Sequence, residues 1–354
     1  MLITCVGQLS RPSVPDLPGR ETFTGPSFHS AEWDHSVDLT GQRVAVLGTG
    51  ASAIQFVPAI APVAGSLTVF QRSAPWIAPK LNIEYSSTRR RVYDRWPTAQ
   101  AFGRGLTWQV TELFNTTFTS DNVLRKTVAL VCKGQLRRQV RDAELRAKLT
   151  PTDEFGCKRV LWSNDWYPAL TRPNVSVVTE PVVEVLPHGV RSRDGFEHDA
   201  DVIIYGTGFA ATEFLAPIDI SGVGGASLQE RWKAGARAYL GLCVPDFPNL
   251  FVVYGPNTNL GGSSIIGMLE PASAAIVSLL RHAEGQGAKA IAVRHEAEQR
   301  YDEEIQGRLA DSVWVSCDNW YHRNGGRIST NWPGQVQEYQ ERCAHLDFAD
   351  FETV

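Results

Sequence analysis

The sequence predicts an α/β protein built around parallel strands. Three short apolar runs, at residues 44–47, 201–205 and 250–254, each end at a glycine, which is typical of buried strands. The first run leads through a glycine-rich turn into a helical pattern, and another strand pattern follows at 66–70. This strand–helix–strand order predicts parallel strands joined by a crossover helix.

The pattern changes between about residues 85 and 150. This segment lacks strand alternation and is rich in Arg, Leu and Gln, so it is predicted to be a helical insert. Strand patterns return at 175–178 and 182–185. Helices are predicted near 263–284 and 296–309, before an aromatic, turn-rich tail.

The turn after the first apolar run has the glycine spacing of a dinucleotide site. Its residues are Gly48, Thr49, Gly50, Ala51, Ser52 and Ala53, with Gln55 in the helix that follows. The glycines permit a tight turn and close approach to a pyrophosphate, and the helix N-terminus offers free N–H groups to phosphate. We therefore predict that these residues bind a dinucleotide.

Arg72 indicates which nucleotide this is. It follows the strand at 66–70, where NAD sites usually carry an acidic residue on the ribose hydroxyls. A guanidinium suits the 2′-phosphate of NADP, which it can bind through two parallel hydrogen bonds. An exposed surface arginine is the alternative, and NADPH is the predicted nucleotide.

Composition excludes several classes of protein. The net charge of −4 over 354 residues gives no reason to expect nucleic-acid binding. The six cysteines form no Cys-x-x-Cys pair, which argues against a zinc site or a dithiol reductase and suits a reducing compartment. Neither a signal peptide nor a membrane span is recognisable. We expect a cytoplasmic protein with no metal, nucleic-acid or membrane partner.

A second motif lies before the glycine turn. It consists of Phe23, Gly25, His29, Trp33 and Asp34. This spacing resembles the signature of the flavin-dependent Baeyer–Villiger monooxygenases, within the flavin-containing monooxygenase group. Further segments resemble the family in family order, at residues 7–12, 206–209, 255–261 and 332–334.

The resemblance implies two Rossmann-like domains, with the FAD domain split in sequence by the NADP domain. The expected parts are a FAD-domain remnant and linker at 1–37, the NADP domain at 38–190, the C-terminal part of the FAD domain at 191–284, and a helix and aromatic tail at 285–354. The family's N-terminal FAD-binding strand–helix–strand unit has no counterpart here. The FAD domain is therefore expected to be incomplete, through a start upstream of Met1 or a truncated gene.

The same resemblance implies the chemistry. In the family NADPH reduces FAD, the reduced flavin takes up O₂ as a peroxide, and the peroxide anion converts a ketone into an ester or lactone. Arg159 would be the catalytic cation that holds the peroxide as its anion, and Lys158 would reach the NADP phosphate. Such a preorganised cation is worth about 3–4 kcal/mol. A basic surface pair before a buried strand is the alternative.

Four further cofactor-binding residues follow from the resemblance: Gln8, Gly208, Asn257 and Trp320. Gln8 would line the flavin and substrate pocket, and Trp320 would close over the cofactors, although core packing explains an aromatic residue equally well. His29 and Trp33 are expected in the linker between the domains. There we expect a conformational role rather than acid–base chemistry.

Two other functions remain open. One is a related flavin monooxygenase that oxygenates nitrogen or sulfur. The other is an NADP-binding fragment that is inactive without the missing FAD unit or needs a partner chain to supply it. The pairs Trp33-Asp34 and Lys158-Arg159 favour the ketone-oxidising enzyme, with a small ketone and O₂ as substrates.

Overall fold

The computed structural model describes residues 1–80, 82, 84–317, 319–321 and 326–353. The strands are β1 (Leu2–Thr4), β2 (Ser27–His29), β3 (Arg43–Leu47), β4 (Ser66–Phe70), β5 (Ile77–Ala78), β6 (Leu161–Trp162), β7 (Val175–Val178), β8 (Val182–Leu186), β9 (Gly189–Ser192), β10 (Glu197–Asp199), β11 (Val202–Tyr205), β12 (Leu250–Val252), β13 (Ile291–Val293) and β14 (Phe351–Thr353). The helices are α1 (Ala53–Ile60), α2 (Ser87–Arg95), α3 (Pro97–Thr119), α4 (Val123–Gln139), α5 (Ala143–Lys148), α6 (Trp166–Leu170), α7 (Leu228–Arg231), α8 (Ile266–Gly285), α9 (His295–Ala310) and α10 (Val336–Ala344).

The chain forms two compact units. The first unit comprises Met1–Ser10, Asn82–Arg125 and Ala211–Val354. The second unit comprises Arg11–Leu81 and Lys126–Ala210. The α/β class is confirmed, and so is the helical insert, which consists of α2 to α5.

The second unit is built on a five-stranded parallel sheet in the order β2-β11-β3-β4-β7. Both of its faces are covered, which explains why its strands are continuous apolar runs. Val44 and Val46 of β3 share a core with Val57 of α1. Ala45 and Leu47 point to the opposite face, into a second core that includes residues of β8 and β9. Burying each large aliphatic side chain stabilises the fold by roughly 1.5–3 kcal/mol.

Strand β11 occupies an interior position in this sheet. We expected residues 201–205 in the FAD domain, but β11 pairs in parallel with β2 on one side and with β3 on the other. Ile203 and Ile204 are completely buried, so each face of the strand is covered. The guanidinium of Arg43 also bonds the carboxylate of Asp201 at 2.7 Å, at the start of the β3–β11 pair. Pairing between distant segments, rather than sequence order, decides where this strand belongs.

The first unit contains the parallel pair β1–β12 and the antiparallel pair β13–β14. Its aromatic interior includes the fully buried side chains of Trp314, Trp332 and Tyr339. The C-terminal region is more regular than the predicted turn-rich tail, because it contains both α10 and β14. Residues 318, 322–325 and 354 of the predicted tail lie outside the described residues.

None of the helices in the described part of the chain is both long enough and apolar enough to cross a membrane.

Candidate functional site

The glycine turn lies between β3 and α1 in the second unit. Gly48 has φ +107°, and a Cβ there would lie 2.4 Å from the carbonyl oxygen of Gly206. A Cβ on Gly50 would meet no atom within 4 Å, so the backbone at Gly50 is open to a ligand. The N–H groups of Ile54, Gln55 and Phe56 bond carbonyl oxygens of the turn itself, at Gly50 and Ser52. The helix dipole makes this end of α1 positive. The turn can therefore hold a pyrophosphate.

Side chains of the turn support its shape. Thr49 Oγ1 donates to the carbonyl oxygen of Ser73 at 3.4 Å. Gln55 Nε2 donates to the carbonyl oxygen of Ala51 at 2.8 Å. Ser52 is the N-cap of α1 but its side chain makes no capping hydrogen bond. Ala53 is fully buried beneath the turn, so a larger residue would disturb it.

Two of the predicted cations, Arg72 and Lys158, lie next to Ser73. Arg72 is exposed just beyond the end of β4, which adjoins β3 in the sheet. Lys158 Nζ donates to Ser73 Oγ at 3.0 Å and pairs with the carboxylate of Asp153 at 2.6 Å. Ser73 thus contacts both Thr49 of the glycine turn and Lys158. The sequence analysis missed Ser73 and Asp153, because no motif marks either of them.

Arg159 follows Lys158 directly and is exposed, whereas Val160 beside it is buried. The segment before it is held by the indole of Trp76, whose Nε1 donates to the carbonyl oxygen of Asp153 at 3.0 Å. The segment after it forms β6, which pairs in parallel with β5. Arg159 therefore presents a permanent positive charge from a backbone that is anchored on both sides.

Phe23 and Gly25 of the signature lie close to β11 and to Asp201, the residue that precedes it. The side chain of Phe23 packs against a core that contains Tyr205. A Cβ on Gly25 would lie 2.1 Å from the carbonyl oxygen of Asp201, so only glycine can pass at this point. These two residues have a packing role in the second unit.

His29 ends β2 and is only 2% exposed. Its Nδ1 accepts a hydrogen bond from the N–H of Ala31 at 3.1 Å, and its ring lies 5.6 Å from the ring of Phe209. Nε2 is buried without a hydrogen-bond partner among the described residues. Burial lowers the pKa of His29 below its ordinary value, which favours the neutral ring. A neutral, enclosed imidazole suits packing better than proton transfer.

Trp33 connects the signature to α1, the helix that follows the glycine turn. Its ring packs edge-on against Phe28 at 5.3 Å and against Phe56 of α1 at 5.4 Å. Asp34 accepts hydrogen bonds from the N–H and the hydroxyl of Ser36, which lower the pKa of its carboxyl. The signature thus contacts β11 at one end and α1 at the other.

A second Gly-Thr-Gly turn, at residues 206–208, follows β11. Gly208 has φ +88°, and a Cβ there would meet no atom within 4 Å. Its carbonyl oxygen accepts from the N–H of Ser13 at 2.9 Å, and Thr207 Oγ1 donates to the carbonyl oxygen of Ser13 at 2.6 Å. This turn adjoins the first one through Gly206 and Gly48.

Asn257 lies in the first unit and is buried. Its Nδ2 donates to the carbonyl oxygens of Ile328 at 2.8 Å and Asn331 at 3.0 Å. Both amide hydrogens are therefore used within the protein, and Asn257 shapes its loop rather than offering that group to a ligand. Asn259 Nδ2 donates to Asn331 Oδ1 at 2.7 Å, a partnership that the sequence analysis missed.

Gln8 and Trp320 also lie in the first unit. Gln8 is 4% exposed, and neither its Oε1 nor its Nε2 has a hydrogen-bond partner among the described residues. An unpaired buried amide is costly, so this side chain is suited to meet a bound polar group such as a flavin. The ring of Trp320 lies 4.3 Å from that of Tyr321, whose N–H donates to Asn319 Oδ1 at 2.9 Å.

The predicted site residues thus fall into two groups. The glycine turn, Arg72, Lys158 and Arg159 belong to the second unit, while Gln8, Asn257 and Trp320 belong to the first. Within the described ranges, no cluster of His, Cys, Asp or Glu could hold a metal ion.

Comparison with known proteins identifies the family. Residues 1–216 match the flavin-binding monooxygenase-like family. The chain is 39% identical to a Baeyer–Villiger monooxygenase of Streptomyces coelicolor over 100% of this chain and 69% of that protein. It is 40% identical to a Baeyer–Villiger monooxygenase of Pseudomonas aeruginosa over 98% of this chain and 66% of that protein. The chain therefore spans about two thirds of the length of these relatives.

Solved structures agree in fold. OTEMO in complex with FAD and NADP superposes with a TM-score of 0.85 at 28% identity, covering 99% of this chain and 75% of that one. An oxidised steroid monooxygenase bound to NADP gives a TM-score of 0.84 at 27% identity, covering 99% and 74%. The two-domain Rossmann-type class is confirmed. The chain belongs to the flavin-binding monooxygenase-like family and, within it, to the Baeyer–Villiger monooxygenases.

Proposed function

We propose that this protein is an NADPH- and FAD-dependent monooxygenase that inserts one oxygen atom of O₂ next to a ketone carbonyl and forms an ester or lactone. The observation that carries this proposal is the bond from Lys158 Nζ to Ser73 Oγ at 3.0 Å. Through Ser73 and Thr49 it connects the Lys158–Arg159 pair to the glycine turn. The Lys158–Arg159 pair thereby places positive charge beside the proposed nucleotide site.

NADPH binds at the carboxyl end of β3 and β4. The open backbone at Gly50 and the N-terminus of α1 receive the pyrophosphate. Arg72 binds the 2′-phosphate through its exposed guanidinium. Lys158 adds a second positive charge, and its ion pair with Asp153 fixes the direction of its side chain.

FAD, when bound, accepts electrons from NADPH and supplies activated oxygen to the ketone. The unpaired amide of Gln8 hydrogen-bonds this cofactor or the substrate. In the second unit, the open turn at Gly208 offers backbone groups to a nucleotide. In the first unit, the loop shaped by Asn257 contributes backbone groups to the flavin. Trp320 of the first unit covers the flavin and excludes water, in which the activated oxygen would be lost.

Arg159 stabilises negative charge as it develops near the reacting oxygen. Its guanidinium supplies this charge as a planar, delocalised cation. Its anchored backbone limits the reorganisation needed during the reaction, which is the property that makes a fixed charge effective.

The proposed substrate is a small ketone. We also propose a cytoplasmic location; four cysteines are free thiols, whereas Cys157 and Cys317 are disulfide-bonded, so cysteine state does not support that location.

The test is an assay of the purified chain with FAD, NADPH and ¹⁸O₂ in the presence of a cyclic ketone or a thioether. The proposal expects FAD binding, NADPH consumption and one ¹⁸O atom in a lactone. Oxygen transfer to the thioether alone would favour the sulfur-oxygenating alternative. Binding of NADPH without FAD binding or product would identify a nucleotide-binding fragment instead.

A further inference from the structure

Helix α3 carries a row of side chains that reaches two loops of the first unit. The first loop contains Gly261 and Gly262, and the second contains Pro333 and Gly334. Near Asn257 these two segments are joined directly: Asn259 N donates to the carbonyl oxygen of Thr330 at 2.9 Å. Trp332 N also donates to the carbonyl oxygen of Asn259 at 2.7 Å.

Beyond Trp332 the two segments meet again where Gly267 packs against Val336, and Asn115 of α3 adds a link between their turns. Asn115 Nδ2 donates to the carbonyl oxygen of Gly334 at 2.8 Å. Asn115 Oδ1 accepts from the N–H of Gly262 at 3.3 Å. The side chain is 2% exposed, so water does not compete readily for either bond.

The neighbours of Asn115 on α3 hold the same two loops. Glu112, three residues earlier, accepts from the N–H of Val336 at 2.9 Å and so caps the start of α10, whose own N-cap side chain makes no bond. Phe118, three residues later, is packed so closely that a Cβ on Gly261 would lie 2.6 Å from its ring. Both loops therefore have fixed positions relative to α3.

We propose that Asn115 is a positioning residue that sets the spacing between the Gly261–Gly262 turn and the Pro333–Gly334 turn, and through it the selectivity among ketones. The selectivity part rests on the proposed function, because it takes the loop of Asn257 as part of the oxygenation site. Asn115 acts through the two backbones that it joins. Phe114 and Phe118 pack against this turn through their rings, whereas the amide of Asn115 bonds the Gly262 N–H directly.

Three variants separate this role from general helix packing. Asn115→Leu removes both bonds at similar volume. Asn115→Asp keeps an acceptor for the Gly262 N–H but places a second oxygen against the Gly334 carbonyl, so it breaks one bond only. Thr117→Val is the matched control, because Thr117 is fully buried on the same helix and its hydroxyl bonds the Phe114 carbonyl of that helix.

The first measurement is amide hydrogen exchange of the full chain without ligand. Exchange at Gly262 should accelerate about tenfold in Asn115→Leu, the order expected when one buried hydrogen bond is lost. It should remain slow in Asn115→Asp and Thr117→Val. Unchanged exchange at Gly262 in Asn115→Leu would overturn the inference.

The second measurement is the ratio of kcat/KM for a small and a bulky cyclic ketone. Both Asn115 variants should change this ratio about fivefold or more, mainly through KM, while Thr117→Val keeps the wild-type ratio. Faster exchange with an unchanged ratio would reduce Asn115 to a structural residue and refute the selectivity role. A wild-type chain that forms no ester would refute the proposed function, and the exchange experiment would still decide whether Asn115 joins the two turns.

Discussion

The backbone at Gly25 passes the carbonyl group of Asp201 so closely that a Cβ at Gly25 would lie 2.1 Å from that oxygen. Asp201 directly precedes β11, the strand between β2 and β3. One glycine of the signature is therefore required by the assembly of the central sheet. This requirement is independent of any cofactor.

Gly25→Ala should lower the free energy of unfolding by about 1–3 kcal/mol, because the added methyl group must displace backbone. Chemical denaturation monitored by circular dichroism would measure it. Gly105→Ala is the matched control: its Cβ meets no atom within 4 Å inside α3, so it should raise stability by up to about 1 kcal/mol. Equal effects in the two variants would contradict the close approach.

Gly50→Ala should leave stability nearly unchanged and weaken NADPH binding. The space around a Cβ at Gly50 is open in the protein, and it is the space proposed for the pyrophosphate. We expect a dissociation constant on the order of tenfold higher, equivalent to about 1.4 kcal/mol. Isothermal titration would measure it, with Gly134→Ala in α4 as the control. Unaltered NADPH affinity would place the nucleotide elsewhere.

Arg72→Ala should weaken NADPH binding about tenfold to a hundredfold, the range for losing hydrogen bonds to a charged group. Affinity for NADH, which lacks the 2′-phosphate, should change by no more than about twofold. The comparison of the two nucleotides in one variant serves as its own control. An equal loss for both would remove Arg72 from phosphate recognition.

Arg159→Ala should lower ester formation by about 10²- to 10³-fold while NADPH oxidation continues, because the fixed charge acts on oxygen transfer rather than on nucleotide binding. Product analysis and oxygen uptake in the same samples would measure both. Arg159→Lys keeps the charge without the planar guanidinium and should recover part of the activity. Wild-type ester yield in Arg159→Ala would exclude Arg159 from the mechanism.

Acid should destabilise the protein partly through His29. Because burial lowers the pKa of this ring in the folded state, the unfolded chain binds the proton more tightly. The contribution of the neutral ring to the free energy of unfolding is fully present above the ordinary histidine pKa of about 6.5. It is lost as the pH falls below that value towards the lower pKa of the folded state. Unfolding free energies between pH 7.5 and 5 should fall less steeply for His29→Asn. Parallel curves for the two proteins would contradict this.

The parts of the site that were predictable from sequence are local ones. The glycine turn from Gly48 to Ala53 combines a strand, a turn and a helix within a few residues, and each carries its own composition signal. Arg72 stays a prediction of the same local kind, made from its position after a strand. The helical insert was predictable because four helices extend over a long stretch without strand alternation.

The unpredicted parts depend on distant partners. The bond between Lys158 and Ser73 joins residues 85 positions apart, and Asn115 meets Gly334 across 219 positions. Neither pair carries a spacing motif. Strand β14 has three residues and exists through its pairing with β13, so its own composition could not indicate it. The sheet position of β11 was missed for the same reason.

The contact between Gly48 and Gly206 has a consequence for anyone who redesigns nucleotide preference. Each Gly-Thr-Gly turn forms part of the wall of the other, since a Cβ on Gly48 would strike the Gly206 carbonyl. If one turn were replaced by that of another enzyme, it would pack against the remaining turn, whose shape is complementary to the turn that was removed. The two turns pack as one unit, so a redesign would have to exchange both of them together.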